Sequence, residues 1–187
     1  MNDIQETIIV DHYFVDPDEI RAKALSMQYY TCKEGEGSGE WPGLRTKLLH
    51  ETDAELFNEL LYGFCKELNI PEDPSLLVQI CFQICSAKDG DSWIHQDYGK
   101  DYVGLVYLSP HPPPESGTLL FTPIDKGFNH WDIEDTNNYI QLTAIENKYN
   151  RLVSYDPRVF HKSDKYFGVS KEDSRLFLLI FIKKVWT

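Results

Sequence analysis

The segment GDSWIHQDYG, residues 90–99, carries His95 and Asp97 with one residue between them. An imidazole and a carboxylate both ligate divalent cations, each reaching the ion at about 2.0–2.2 Å. In a β-strand, residues i and i+2 share a face at roughly 6–7 Å, so a strand here would aim both groups at one ion. The motif is weak alone: six histidines and 16 aspartates in 187 residues give roughly half a His-x-Asp by chance. The chain in fact holds two, His95-Gln96-Asp97 and His130-Trp131-Asp132. Two histidines and one carboxylate on one side of a metal leave the other positions open, an arrangement that suits non-haem iron. A second histidine must then come from another strand, and His161 in RVFHKS is the candidate.

The elements that must position these residues follow from periodicity. From residue 76 the chain reads as eight short strands with turn signals: LLVQICFQICS, SWIHQDY, YVGLVYLS, GTLLFTP, YIQLTAIE, NRLVSYD, RVFHKS and RLFLLIFIKK. That spacing predicts a sandwich, jelly roll or barrel. The strands at 102–109, 117–122, 139–146 and 151–156 lie between His95 and His161. They allow a double-stranded β-helix to close and set the two histidines on neighbouring strands. From His130 only about two strands remain before His161, and NHWDIEDTNNY reads as a polar loop. His95 and Asp97 are therefore preferred over His130 and Asp132. His12, His50 and His111 have no comparable context.

Helices precede the strands. Asp16 as N-cap, Pro17 at the first position and Glu19 predict a helix running through DEIRAKALSMQYY. A second helix is predicted from a Thr52–Glu55 capping box and the apolar stripe Leu56, Phe57, Leu60, Leu61, Phe64 and Leu68. Between them KEGEGSGEWPGLRTK, residues 33–47, lacks a phosphate-loop pattern and reads as a surface loop or lid. The expected fold class is α+β: a double-stranded β-helix (jelly roll, cupin-like) with N-terminal helices packed on one sheet. One domain is expected over 1–187, with a helical part over 1–75 and the β core over 76–187.

Composition narrows the partners. Hydrophobic residues make up 42% and aromatics 13%, as in a globular domain. A net charge of −12 disfavours nucleic acid and anionic membranes, which require a positive field. The opening MNDIQETIIVDHYF does not read as a signal peptide, and LFLLIFI is far short of a membrane span. Cys81 and Cys85, four apart in an alternating strand, read as buried thiols on one face; with Cys32 and Cys65 they suit a reducing cytoplasm.

At these residues the sequence resembles the Fe(II)- and 2-oxoglutarate-dependent oxygenases, most closely the prolyl-4-hydroxylase-like branch. DGDSWIHQD resembles that family's turn into His-x-Asp, and GLVYLSPHPPPESGTLLF its next hairpin. NRLVSYDPRVFHKS is similar to the strand, turn and distal-histidine segment, and IIVDHYFVDPDEI to the opening strand and helix. The resemblance implies Fe(II) on His95, Asp97 and His161. It implies O2 and 2-oxoglutarate as cosubstrates, with a basic residue on the last strand for the far carboxylate. Arg175 is the choice, since arginine offers a permanent, bidentate cation. Arg151 is the runner-up, whereas Arg158 lies an odd number of residues from His161 and faces away in a regular strand. Tyr107 is a candidate hydroxyl for 2-oxoglutarate, and Arg45 in EWPGLR with Trp131 for the substrate.

The sequence departs from the family in two places. Cys85 and Ser86 stand where several relatives have a tyrosine, and Arg175 is followed by Leu176 and Phe177 rather than an Arg-x-Ser pattern. The implied reaction couples 2-oxoglutarate decarboxylation to hydroxylation of a C–H bond, on a peptidyl prolyl residue or an amino acid. The alternatives are a cupin-like metal enzyme without 2-oxoglutarate and a non-catalytic binding module.

Overall fold

The structure is a computed structural model and describes residues 6–34, 40–71, 73, 75–124 and 136–185. In chain order, β1 (Ile8–Asp11), α1 (Pro17–Ser26), β2 (Leu44–Arg45), α2 (Leu49–Thr52) and α3 (Ala54–Glu67) come first. Then follow β3 (Leu76–Cys85), β4 (Tyr102–Tyr107), β5 (Thr118–Pro123), β6 (Tyr139–Ile145), β7 (Arg151–Tyr155), β8 (Phe160–Ser163) and β9 (Arg175–Lys184). A six-stranded sheet has the order β1-β7-β4-β9-β3-β2, and a three-stranded sheet the order β6-β5-β8. Their ladders are antiparallel, as a jelly roll requires. Among the described residues no helix is long and apolar enough to cross a membrane.

Strand parity sorts the large sheet into two cores. Even-numbered Ile80, Phe82, Ile84, Leu176, Leu178 and Ile180 pack under the helices with Ile20, Leu56, Leu60 and Phe64. Odd-numbered Cys81, Cys85, Leu105, Tyr107, Phe177 and Leu179 face the small sheet, with Leu120 and Ile145 opposite. Because both faces of β9 are covered, its sequence is a continuous apolar run rather than an alternation. Arg175 carries the odd parity and pairs in register with Cys85, so it enters the space between the sheets.

Gly104, on β4, lies against the ring of Phe64 from α3, where a Cβ would overlap the aromatic carbons. Gly104→Ala is expected to destabilise the protein by about 1–3 kcal/mol through overpacking. A lowered urea midpoint at unchanged slope would show it.

Local chemistry explains both agreements and corrections. The Asp16 side chain accepts from the Glu19 amide at 3.0 Å and Pro17 opens α1, as the sequence indicates. The helix ends at Ser26 rather than Tyr30, because Tyr30 exchanges two backbone hydrogen bonds with Arg45 at the sheet edge. Asp53, not Thr52, caps α3 by accepting from the Leu56 amide at 3.0 Å. Thr52 is absorbed into the one-turn α2 and bonds back to the Leu48 carbonyl. SWIHQDY is not a strand: only His95 forms a bridge.

Candidate metal centre

His95 reaches its position through two backbone hydrogen bonds. Its amide donates to the His161 carbonyl and the His161 amide donates back, each at 2.9 Å. A mutually bonded antiparallel pair of this kind holds its Cα atoms about 5.5 Å apart. The Asp97 amide donates to the Pro157 carbonyl at 2.9 Å, which turns the carboxylate toward the same point. One ligand atom from each of His95, Asp97 and His161 falls within a 4.8 Å span, a grouping able to hold a metal ion.

The backbone also orients the rings. His95 Nδ1 lies 3.0 Å from the Trp93 carbonyl and His161 Nδ1 lies 2.9 Å from the Val159 carbonyl. A carbonyl only accepts, so each Nδ1 carries the proton and each Nε2 keeps its lone pair, the tautomer a metal ligand needs. Yet His161 Nε2 sits 3.3 Å from Asp97 Oδ2. Two lone-pair atoms that close repel, so either a proton on this Nε2, which makes it a hydrogen-bond donor to Asp97, or a metal ion must lie between them. The donor set therefore fits a divalent metal.

Burial, reinforced by the charge of His161, pushes the His95 imidazolium down to about 4. For Asp97 burial works upward, but the hydrogen bond and charge of His161 outweigh it and the carboxyl is lowered overall. Both groups are thus in their ligating forms at neutral pH. The same shift links to stability. Between about pH 6.5 and 4 the unfolded chain binds a proton at His95 that the folded chain does not. The contribution is intact above pH 6.5 and is lost as pH falls toward 4. Chemical denaturation of the metal-free protein across that window should show a shallower slope for His95→Gln than for wild type.

The triad opens onto a cavity of about 730 Å³ between the sheets. Arg175 also lines it, although only 1% exposed. Its Nε donates to the Ser116 carbonyl at 2.8 Å and one Nη to the Gly117 carbonyl at 3.2 Å. The other, Nη1, is buried without a partner. The guanidinium lies 4.3 Å from the Phe177 ring centre and 5.4 Å from that of Tyr107. No carboxylate among the described residues pairs with it. Tyr107 itself is fully buried, with its hydroxyl 2.7 Å from Thr118 Oγ1, and Thr118 rather than Tyr107 lines the cavity.

Arg45 and Trp41 line the cavity from β2 and the residues before it, so this part of the predicted lid does meet the site. Trp131, with His130 and Asp132, lies outside the described residues. Arg151 pairs with Asp11 at 2.6 Å and Arg158 with Asp156 at 2.6 Å, neither on the cavity. Sequence reasoning missed Thr118, Ser163, Tyr166, Gln83 and Lys100 in the lining. Gln79 and Gln83 were findable: they interrupt an apolar strand at the odd positions that face the other sheet.

The jelly roll that carries the His-Asp-His cluster and the buried arginine is similar in fold to solved structures of α-ketoglutarate-dependent enzymes and prolyl hydroxylases. HygX from Streptomyces hygroscopicus, crystallised with nickel and 2-oxoglutarate, matches 96% of this chain and 83% of its own, with a TM-score of 0.66 at 12% identity. A Pseudomonas putida prolyl-4-hydroxylase matches over 96% and 93%, with a TM-score of 0.54 at 14% identity. A Trichoplax adhaerens prolyl hydroxylase, in complex with a hypoxia inducible factor peptide fragment, matches over 95% and 83%, with a TM-score of 0.60 at 11% identity. No protein-family model and no curated protein matches the sequence.

Proposed function

We propose that residues 1–187 form one Fe(II)- and 2-oxoglutarate-dependent hydroxylase domain that oxidises a C–H bond of a peptidyl prolyl residue or an amino acid. The observation that carries this reading is Arg175 Nη1, a buried donor without a partner on the cavity that the metal triad shares. An unpaired buried cation is strongly unfavourable, and a ligand carboxylate removes the penalty. A metal enzyme or binding module whose ligands carry no carboxylate at this depth has no use for it. In this reading His95, Asp97 and His161 hold the iron, and their Nδ1 bonds fix the ring orientation. Arg175 takes the far carboxylate of 2-oxoglutarate, with Thr118 beside it. Tyr107 holds Thr118 from behind, a positioning role. When bound, iron and 2-oxoglutarate supply the oxidising chemistry: O2 is consumed, 2-oxoglutarate becomes succinate and CO2, and the substrate gains a hydroxyl. The apolar Leu105, Phe177 and Leu179 exclude water from that reaction.

The test is an anaerobic titration of metal-free protein with Fe(II) and then 2-oxoglutarate. A visible charge-transfer band is expected when the keto acid chelates the iron. Bound iron with no band on adding 2-oxoglutarate overturns the cosubstrate assignment.

A further inference from the structure

Apart from Arg175, the described residues lining the cavity include three cations, Lys162 on β8 and, beside β3, Arg45 and Lys100. Arg45 Nε donates to Gln83 Oε1 at 2.9 Å, and the Gln83 amide donates in turn to the Pro42 carbonyl at 2.7 Å. Lys100 Nζ donates to Gln79 Oε1 at 2.6 Å. The two glutamines lie on the inner face of β3, so Arg45 and Lys100 are each moored on a neutral amide rather than on an acid. The Arg45 guanidinium also lies over the Trp41 ring, 4.7 Å from its centre. Its two Nη groups have no hydrogen-bond or ion-pair partner among the described residues. The Trp41 indole nitrogen, a donor only, is buried without a partner in the same wall. Among the described residues the acids on this cavity are Asp97, which belongs to the triad, and the exposed Glu40.

A chain of net charge −12 gains nothing by sparing these donors for its own acids. Mooring a guanidinium by Nε alone leaves its Nη edge free, and that planar edge matches a carboxylate in bidentate fashion. We infer that the substrate carries a free carboxylate, bound by Arg45 between Trp41 and the metal triad, with Lys100 adding positive potential. This rests on the oxygenase reading and divides its two substrate classes. A free amino acid or related small acid has the required group next to its reacting carbons. A residue inside a peptide has lost it to the amide.

The 187-residue chain loaded with nickel and 2-oxoglutarate, which does not turn over, is titrated by calorimetry with the twenty L-amino acids as free acids and as primary carboxamides. At least one acid should bind, its carboxamide at least about tenfold more weakly. Arg45→Gln should weaken the acid by a similar factor, and Arg45→Lys should restore part of it. Lys100→Gln, which removes positive potential rather than the direct contact, should give a smaller loss. Three results overturn the inference: no acid binds, carboxamides bind as well as acids, or the acid preference survives in Arg45→Gln, which would report chelation by nickel. Loading with 2-oxoglutarate is measured first. If it fails, the oxygenase reading falls on that result, and the titration with nickel alone still decides the role of Arg45.

Discussion

Arg175→Met should sharply weaken 2-oxoglutarate binding while leaving the metal-free fold close to wild-type stability. The two halves of this result have opposite physical origins. A buried, hydrogen-bonded charge pair loses about 2–5 kcal/mol when one partner is truncated, so the keto acid should bind about 30- to 4,000-fold more weakly. In the metal-free protein, however, the guanidinium is buried with one nitrogen unpartnered and no carboxylate beside it. Exchanging such a charge for an apolar side chain of similar volume is often neutral or stabilising. Against this stands the loss of two hydrogen bonds, to the Ser116 and Gly117 carbonyls. Orphaned carbonyls cost about 1–3 kcal/mol each, comparable to the relief from removing the charge. Calorimetric titration with 2-oxoglutarate and thermal melts of the same variant read the two halves separately. A large fall in melting temperature with 2-oxoglutarate affinity preserved would make Arg175 a scaffold residue.

The second large effect is expected at His161. His161→Ala removes one of three ligands, and metal affinity should fall more than about 100-fold, since changes merely behind a ligand already cost 10–100-fold. With nickel at 100 times the wild-type dissociation constant, binding stabilises the fold by about 2.7 kcal/mol. After a 100-fold loss of affinity only about 0.4 kcal/mol remains. For a chain of this size the difference is roughly 5–10 °C of metal-dependent melting shift. Melts with and without nickel should therefore differ in wild type and nearly coincide in the variant. Equal shifts in both proteins would remove His161 from the metal site.

The long strands and the ligand pairing were legible because they depend on local pattern. RLFLLIFIKK has no residue that interrupts a strand, and β9 forms over all of it. The strand count between His95 and His161 anticipated their adjacency. The reason offered for the His95–Asp97 pairing was incomplete, because the segment is not a strand. Asp97 is turned inward by Pro157, a contact 60 positions away that no local periodicity encodes. Helix ends failed for a related reason. Thr52 and Asp53 are both competent caps, and the choice between them depends on α2, a single turn too short to announce itself. Tyr30 follows the helix in a sequence that could continue it, but it is claimed by Arg45 across the sheet edge. The moorings of Arg45 and Lys100 needed the register of β3, which sequence alone does not supply.

The His95–His161 bridge would govern how fast a metal held by this triad could come and go. The segment from Ser86 to Asp101 joins β3 to β4 with one bridge and a few single hydrogen bonds, while β3, β4 and β9 run in long ladders. Opening that segment breaks far less than opening the jelly roll, and regions with few backbone bonds open at a fraction of the global free energy. It would carry His95 and Asp97 away together and leave His161 in place on β8. Ion exchange can therefore proceed through a local gap, on a timescale set by that segment rather than by unfolding. The amide protons of His95, Asp97 and His161 would be the ones whose replacement by deuterium slows when an ion is seated.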